Sequence, residues 1–495
     1  MAESKYTTSS TYDAERPSYH MLICLVEVWN PKGKTPQELM LPEGKPDFMI
    51  AEVENIEIRE SYRNVVSTAA LTFPRGTIIK KTLEADPTEY ASAVTASVDS
   101  QGAIIENRTN SSVATVDNFA VGSRIRIRLG YTTDPAVYNL TKVSTGRPSI
   151  FTSDEKLNEY TGYLTTMFDG YITRCSIDQP IKIECEDLAH LLKCISCKKI
   201  TTTNKSTVKQ LLYSVKDGGV HGLLAKTGLK LHSDTEDITV GKCSITTDFT
   251  VYDVLNQWHK WKIFAYFAWD NDGKTPCIVV RNSYFSGTSG SLVDSKREVK
   301  EAIDFQYHVA ENNLEMQDTD KKSLAIHACS KDADEKKMTT LTLMSNPEWK
   351  EGDSEKERWR VHNETKISKR AMKKHHIRMI TEGSSKVNLS EYTVVEYQSR
   401  KIGLTHDQLL QEAIDYYKAY NMNGVEGSIV LFGDLKLHTT DIVELKDLRF
   451  PMKNGKYLVE EVCTTFGTRG FRQSIRLPYC LKRDNPKSEN NGSEQ

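Results

Sequence analysis

The sequence predicts a mainly β chain with α+β insertions, organised as two antiparallel β-barrel domains plus smaller inserted domains. Three observations predict it. Apolar residues recur at every second position through most of residues 20–480, turn residues punctuate those runs, and one order of strands occurs twice, at 124–185 and at 441–477. A length of 495 residues corresponds to about three or four domains. With 38% hydrophobic residues the chain can bury real cores, which excludes a disordered protein. The 65 basic and 67 acidic side chains leave a net charge of −2, which argues against a globally basic nucleic-acid binder and leaves room only for local patches.

The elements follow in order. Residues 1–20 are polar and are expected to be a mobile N-terminus. Met21 to Trp29 reads as a buried strand, and Ala51 to Ile58 alternates apolar with acidic residues as a strand with one wet face. Ser67 to Phe73 follows and is closed by Pro74-Arg-Gly76. Residues 77–118 are rich in Ser, Thr and Asn and read as a long insertion. Val121 to Leu129 sets Arg124, Arg126 and Arg128 on one face and Ile125, Ile127 and Leu129 on the other, a strand with a basic stripe. After a further polar stretch, Met167 to Cys175 and Ile181 to Cys185 form a hairpin around Ile177-Asp-Gln-Pro180. It leads into a helix from Glu186 to Lys193 with Leu188, Leu191 and Leu192 on one face.

Residues 200–300 read as a small α+β domain. Ser206 or Thr207 caps one helix that runs through Val215; Thr250 and Asp253 form a capping box for another, which faces Val251, Val254, Leu255 and Trp258 inward. Strands at Ile263 to Trp269 and Cys277 to Val280 flank the turn Asp270 to Lys274. Strands return at Ala302 to Val309, Ser323 to Cys329 and Thr339 to Leu343. Residues 345–403 form a charged inserted domain. Leu404 to Tyr420 is an amphipathic helix with a Thr405/Gln408 box and Leu410, Ala413, Ile414 and Tyr417 inward. The two barrel domains are therefore expected at 21–199 and at 301–344 with 404–480, and 481–495 is expected to be a mobile tail.

The repeat is the most informative feature. Its first copy is Arg124 to Leu129, Phe168-Asp-Gly-Tyr-Ile-Thr173 and Ile181 to Cys185. Its second is Asp441 to Leu445, Asn454-Gly-Lys-Tyr-Leu-Val459, a turn containing Gly467 and Gly470, and Phe471 to Leu477. In both, a charged-apolar strand precedes a strand that starts at Gly-Tyr or Gly-x-Tyr, and a turn returns the chain antiparallel. The stretch Phe168 to Ile172 with Ile181 to Asp187 resembles the first barrel of phage tail hub proteins, the group of baseplate hubs that includes the base of the type VI secretion spike. Gly427-Ser-Ile-Val-Leu-Phe-Gly433, Leu437 to Leu445, Asn454 to Val459 and Gly470 to Leu477 resemble the closing barrel of the same group. Order carries this resemblance, which spans most of residues 20–480. One departure is Thr440-Asp441, where the group usually has Gly-Asp.

The resemblance implies tube-like barrels and a structural tail hub. A homotrimer with two barrels per chain would offer six barrels to a sixfold tail tube and threefold symmetry to a spike. The implied partners are further copies of the chain, the tail tube protein above, a separate spike or tip protein below, other baseplate proteins, and DNA or cargo passing transiently through a central channel. Because only a short polar tail follows Leu477, the spike is expected on another chain. No window approaches 18 apolar residues, so no stable membrane insertion is expected. The N-terminus lacks the regions of a secretory signal. The expected location is a virion tail or injection particle assembled in the bacterial host cytoplasm.

No HExxH or GxSxG string occurs. The acids within Glu351 to Glu357 read as a solvated loop, and Lys366 to Arg378 is a basic run that is either a solvated face or a patch for an anionic partner. His375-His376 lies inside that run, adjacent and surrounded by cations, which disfavours a metal. Trp258, Trp261 and Trp269 read as core in preference to a carbohydrate platform. Ten cysteines are few for a disulfide scaffold; Cys24, Cys243 and Cys463 sit in apolar runs, and Cys194-Ile-Ser-Cys197, with Cys185 upstream, has no second pair for zinc. No catalytic, cofactor-binding or metal-ligating residue is singled out, no cofactor is expected, and the chain is expected not to be an enzyme. A hub-associated peptidoglycan hydrolase and an unrelated cellular multidomain β protein are the other readings of the same residues.

Overall fold

The computed structural model describes residues 20–41, 44–81, 96–98, 104–106, 111–141, 150–151, 153–203, 206–216, 219–238, 244–259, 263–270, 273–282, 297–317, 323–331, 337–345, 359–368, 392–399, 404–420 and 424–483. The chain is mainly β with α+β insertions, and it divides into two compact units. The first comprises Met1–Glu57, Ala69–Cys185 and Thr465–Phe471; the second comprises Ile58–Thr68, Glu186–Thr464 and Arg472–Gln495. Among the described residues every sheet is open.

In the first unit the sheet runs Thr68–Phe73, Ile181–Asp187, Leu164–Cys175, Arg124–Thr132, Met21–Trp29, Phe48–Ile50, Ile78–Lys81, Ser111–Val113. Alternation sets the faces: Ile125, Ile127 and Leu129 are sealed in the core, as the period of two requires. Met21–Trp29 is buried on both faces from Ile23 onward, in keeping with its unbroken apolar run. Ile23, Leu25, Met49, Val137, Ile150 and Tyr160 form one core cluster, and the Tyr160 hydroxyl donates to the Cys24 carbonyl at 3.1 Å. The polar stretch before Met167 contains a helix, Asp154–Thr161, which the sequence reading lacks. Ser153 caps it, but only Tyr160 is buried, so no apolar stripe announced it.

The second unit holds several small sheets. Glu301–Asp304, Ile442–Lys446, Gly455–Leu458 and Tyr479–Arg483 form one of four strands; Val309–Gln317, Gly424–Phe432 and Gly470–Leu477 follow one another within a larger sheet. Ile303, Val425, Ile429, Leu431, Val443, Leu445, Tyr457 and Ile475 share the core between them. Gly427 is a glycine for a steric reason: its φ is +134°, and a Cβ there would lie 2.3 Å from the Asn313 carbonyl oxygen of the facing strand. The capping boxes at Thr250/Asp253 and Thr405/Gln408 form as the spacing predicts; Thr207 caps the helix Val208–Leu212, boxed by Gln210, and that helix ends short of the expected Val215 because Ser214–Lys216 is a strand. Val251, Val254, Leu255 and Trp258 are buried together. In the helix His406–Tyr420 the deepest leucine is Leu409, with Leu410 and Ile414 only partly buried. That helix packs on a four-stranded sheet of Trp359–Ser368, Lys337–Ser345, Ser323–Lys331 and Tyr392–Gln398. The boundary expected at 344/345 therefore falls inside one sheet.

Three further expectations change. Glu461–Gly467, read as part of a turn, is a strand with inward Val462, Thr464 and Phe466. The helix expected from Glu186 is a 3₁₀ turn, Leu188–His190, followed by one α-turn, Leu191–Cys194, with Leu188, Leu191 and Leu192 buried as expected. Residues 481–483, expected in the tail, belong instead to the strand Tyr479–Arg483, which pairs with Gly455–Leu458 and buries Leu481. Residues 1–19 and 484–495 lie outside the described residues.

Candidate functional site

The first copy of the strand motif lies in the first unit; the second lies in the second unit except for Gly467, Gly470 and Phe471, which belong to the first. The first supplies three adjacent strands, with Tyr171 opposite Arg124 and Asp169 opposite Arg126. In the second, Ile442–Lys446 pairs with Gly455–Leu458, but the next neighbour is Tyr479–Arg483, while Gly470–Leu477 pairs with Gly424–Phe432. Both motif tyrosines are fully buried, and each hydroxyl donates to a backbone carbonyl: Tyr171 to Pro36 at 2.6 Å, Tyr457 to Lys453 at 3.0 Å. A buried phenol requires such an acceptor.

The basic stripe is part of a buried charge ladder. Arg124 Nη2 lies 2.6 Å from Asp169 Oδ1, Arg126 Nε donates to Asp169 Oδ2 at 3.1 Å, and Arg128 Nε lies 3.0 Å from Glu27 Oε2. Trp29 and Tyr171 flank it, with the guanidinium carbons of Arg126 and Arg124 at 5.3 and 5.7 Å from their rings. Burial pushes the Glu27 carboxyl up, against the pull of Arg128 and Arg126. Alternation placed the arginines on one face; it did not reveal that strands on either side carry their counter-charges.

The second arrangement is one that the sequence reading passed over. Glu186, His190 and Cys194 recur at intervals of four, and the fold lines them up: His190 Nδ1 lies 2.8 Å from Glu186 Oε2, and Cys194 Sγ lies 3.5 Å from His190 Nε2. Lys193 Nζ donates to Glu186 Oε1 at 2.8 Å. This is the order of nucleophile, base and orienting acid. Its electrostatics oppose activation, because partial burial, then Glu186, raise the Cys194 thiol, and a thiol attacks only as its thiolate. Glu186 itself is held low, first by its bond from His190. Cys197, the other half of the CxxC, is buried and free.

Of the remaining candidates, Trp258 is core at 2% exposure, and Trp269 is half-buried against Phe267. Lys366 lies within the strand Trp359–Ser368, whereas 369–378, His375-His376, 351–357, Trp261 and Cys243 lie outside the described residues. Among the described residues no group of three or more His, Cys, Asp or Glu is placed to hold a metal ion, and no helix is long and apolar enough to cross a membrane.

No family model matches the sequence, and no curated protein matches it. Solved structures do. A tail protein from Neisseria meningitidis MC58 is similar at 9% identity and a TM-score of 0.44, covering 93% of this chain and 97% of that one. The 43 kDa tail protein of prophage MuSo2 from Shewanella oneidensis is similar at 9% identity and 0.43, covering 93% and 98%. A Francisella PdpA-VgrG complex in its lidded form is similar at 9% and 0.40, covering 95% of this chain and 54% of that one. These similar solved structures are thus described as tail proteins and a VgrG complex.

Proposed function

We propose that the chain is a structural tail hub of a phage or phage-like injection particle. In this reading it forms a homotrimeric ring that adapts a sixfold tail tube to a threefold spike and continues the channel between them. One observation carries it: the strand motif occurs twice, and its buried tyrosine, bonded each time to a backbone carbonyl, falls once in each of the two compact units. A duplicated β unit in each of three chains yields six near-equivalent positions, which is what a sixfold-to-threefold junction requires. The tube-like barrels would centre on 21–199 and on 301–317 with 424–483, with 200–300 and the sheet-and-helix layer of 323–420 inserted. The buried charge ladder is then part of the scaffold, and the raised Cys194 thiol fits a chain that does no chemistry.

The test is to locate the chain by labelled electron microscopy of the assembled particle, and to measure its mass. A position between tube and tip with a mass of three chains is expected. A strictly monomeric chain with no affinity for tube protein overturns the reading. Clearing of peptidoglycan by the purified chain on a zymogram would overturn the scaffold assignment in favour of a hydrolase.

A further inference from the structure

The turn that follows the strand Ile181–Asp187 is apolar on one side and polar on the other. Leu188, Ala189, Leu191 and Leu192 are fully buried. Asp187 fixes the start of the turn, accepting from Ser67 N at 2.8 Å through Oδ2 and from Ala189 N at 2.9 Å through Oδ1. His190 and Cys194, four residues apart on this anchored turn, stand side by side on its outer face. Cys194 is exposed and the His190 side chain is 24% exposed, so both can be reached from solvent. Glu186 Oε2 lies 2.8 Å from His190 Nδ1, and a carboxylate can only accept. In the neutral ring the proton therefore sits on Nδ1, and the lone pair of Nε2 is left toward Cys194 Sγ at 3.5 Å. A carboxylate behind the imidazole and a second donor in front of it is the order in which proteins orient metal-binding histidines.

The spacing fits one coordination geometry. Zinc lies about 2.3 Å from a thiolate and about 2.0–2.1 Å from an imidazole nitrogen, so donors 3.5 Å apart subtend about 107° at the ion, close to tetrahedral. Charge points the same way. After partial burial, Glu186 acts most on the Cys194 thiol and Lys193 opposes it more weakly. The field that resists a bare thiolate favours a cation at the same sulfur. Lys193 Nζ is engaged by the other carboxylate oxygen, Glu186 Oε1, at 2.8 Å and lies 4.9 Å from the Tyr252 ring. Glu186 and Lys193 then cancel, and a metal-bound Cys194 thiolate supplies one negative charge to a divalent ion. Thiolate and imidazole select a borderline-soft ion over magnesium or calcium, which take oxygen donors. We propose that Cys194 Sγ and His190 Nε2 form a two-donor site for zinc or a divalent cation of similar softness, with Glu186 orienting the ring from behind. Among the described residues no third protein donor is placed there, so water completes the shell and the ion exchanges readily. Half the ligands of a structural zinc site put the dissociation constant at roughly 1–100 μM.

The experiment is titration of the reduced full chain with cobalt(II), whose bond to a thiolate gives a charge-transfer band in the near ultraviolet, followed by displacement with zinc. Circular dichroism verifies that each variant folds. A band that zinc abolishes is expected in the wild type and in Cys197→Ser, and no band is expected in Cys194→Ser. His190→Ala is expected to weaken binding at least tenfold, and Glu186→Gln, which removes only the orienting charge, about tenfold. Zinc is also expected to slow alkylation of Cys194, identified by mass mapping, in the wild type and not in His190→Ala. Absence of the band up to millimolar cobalt overturns the proposal. So does a band that persists in Cys194→Ser, one that is lost in folded Cys197→Ser, or an affinity left unchanged in folded His190→Ala.

Discussion

Arg124 and Asp169 meet across neighbouring strands with Nη2 2.6 Å from Oδ1, and their side chains are 0% and 2% exposed. The contact is a charge pair outside hydrogen-bond geometry, and Arg124 Nε and Nη1 have no hydrogen-bond partner among the described residues. Removing one member strands a buried charge. Asp169→Leu is expected to cost about 3–5 kcal/mol, whereas the double change Arg124→Met/Asp169→Leu recovers the part due to stranding Arg124, the loss of the bond from the quarter-exposed Arg126 being common to both. Urea unfolding of the single and double variants measures this directly.

Thr440 occupies a left-handed backbone position, with φ +70°, at the place where the resembled group has glycine. Its N–H donates to the Val459 carbonyl at 2.8 Å and its carbonyl accepts from Arg297 Nη2 at 2.8 Å, so the turn is held although a β-branched residue fits it poorly. Relief of about 1–2 kcal/mol of strain exceeds the roughly 0.5–1 kcal/mol by which glycine loosens the unfolded chain. Thr440→Gly is expected to raise the thermal midpoint, and Thr440→Ala, which keeps a Cβ, is expected not to.

His438 Nδ1 lies 3.0 Å from Glu60 Oε2, and Glu60 above all pushes its pKa up to about 9. The folded value exceeds the unfolded one of about 6.5, so this contribution is complete below pH 6.5 and is lost as pH rises through 9. With the side chain 45% exposed, solvent screens much of it. The urea midpoint of the wild type is expected to fall between pH 6.5 and 9.5, and that of His438→Gln to fall less over the same interval.

Cys194 is the exposed thiol among the described cysteines, and burial and Glu186 hold it protonated. Alkylation of the native chain is expected to be slow at pH 7 and to rise steeply with pH, several-fold faster in Glu186→Gln. Mass mapping of the first modified site checks the assignment. Rapid labelling at pH 7 would instead mark an activated nucleophile.

Much of this was legible in the residues themselves. Alternation fixes which side chains share a face, so Ile125, Ile127 and Leu129 are core; capping chemistry is local, so Thr250 and Asp253 announce their helix; and the Thr440-Asp441 departure points to the strained turn. Pairing between distant strands is not local, and only the tertiary structure decided it. The period of two says that Arg124, Arg126 and Arg128 lie together. It does not say whether water or Asp169 and Glu27 will face them, because those carboxylates arrive on strands far away along the chain. For the same reason Tyr479–Arg483, and not Gly470–Leu477, lies beside Gly455–Leu458, and the exposure of Leu448, Phe450 and Met452 appeared only once the hairpin that carries them had been folded.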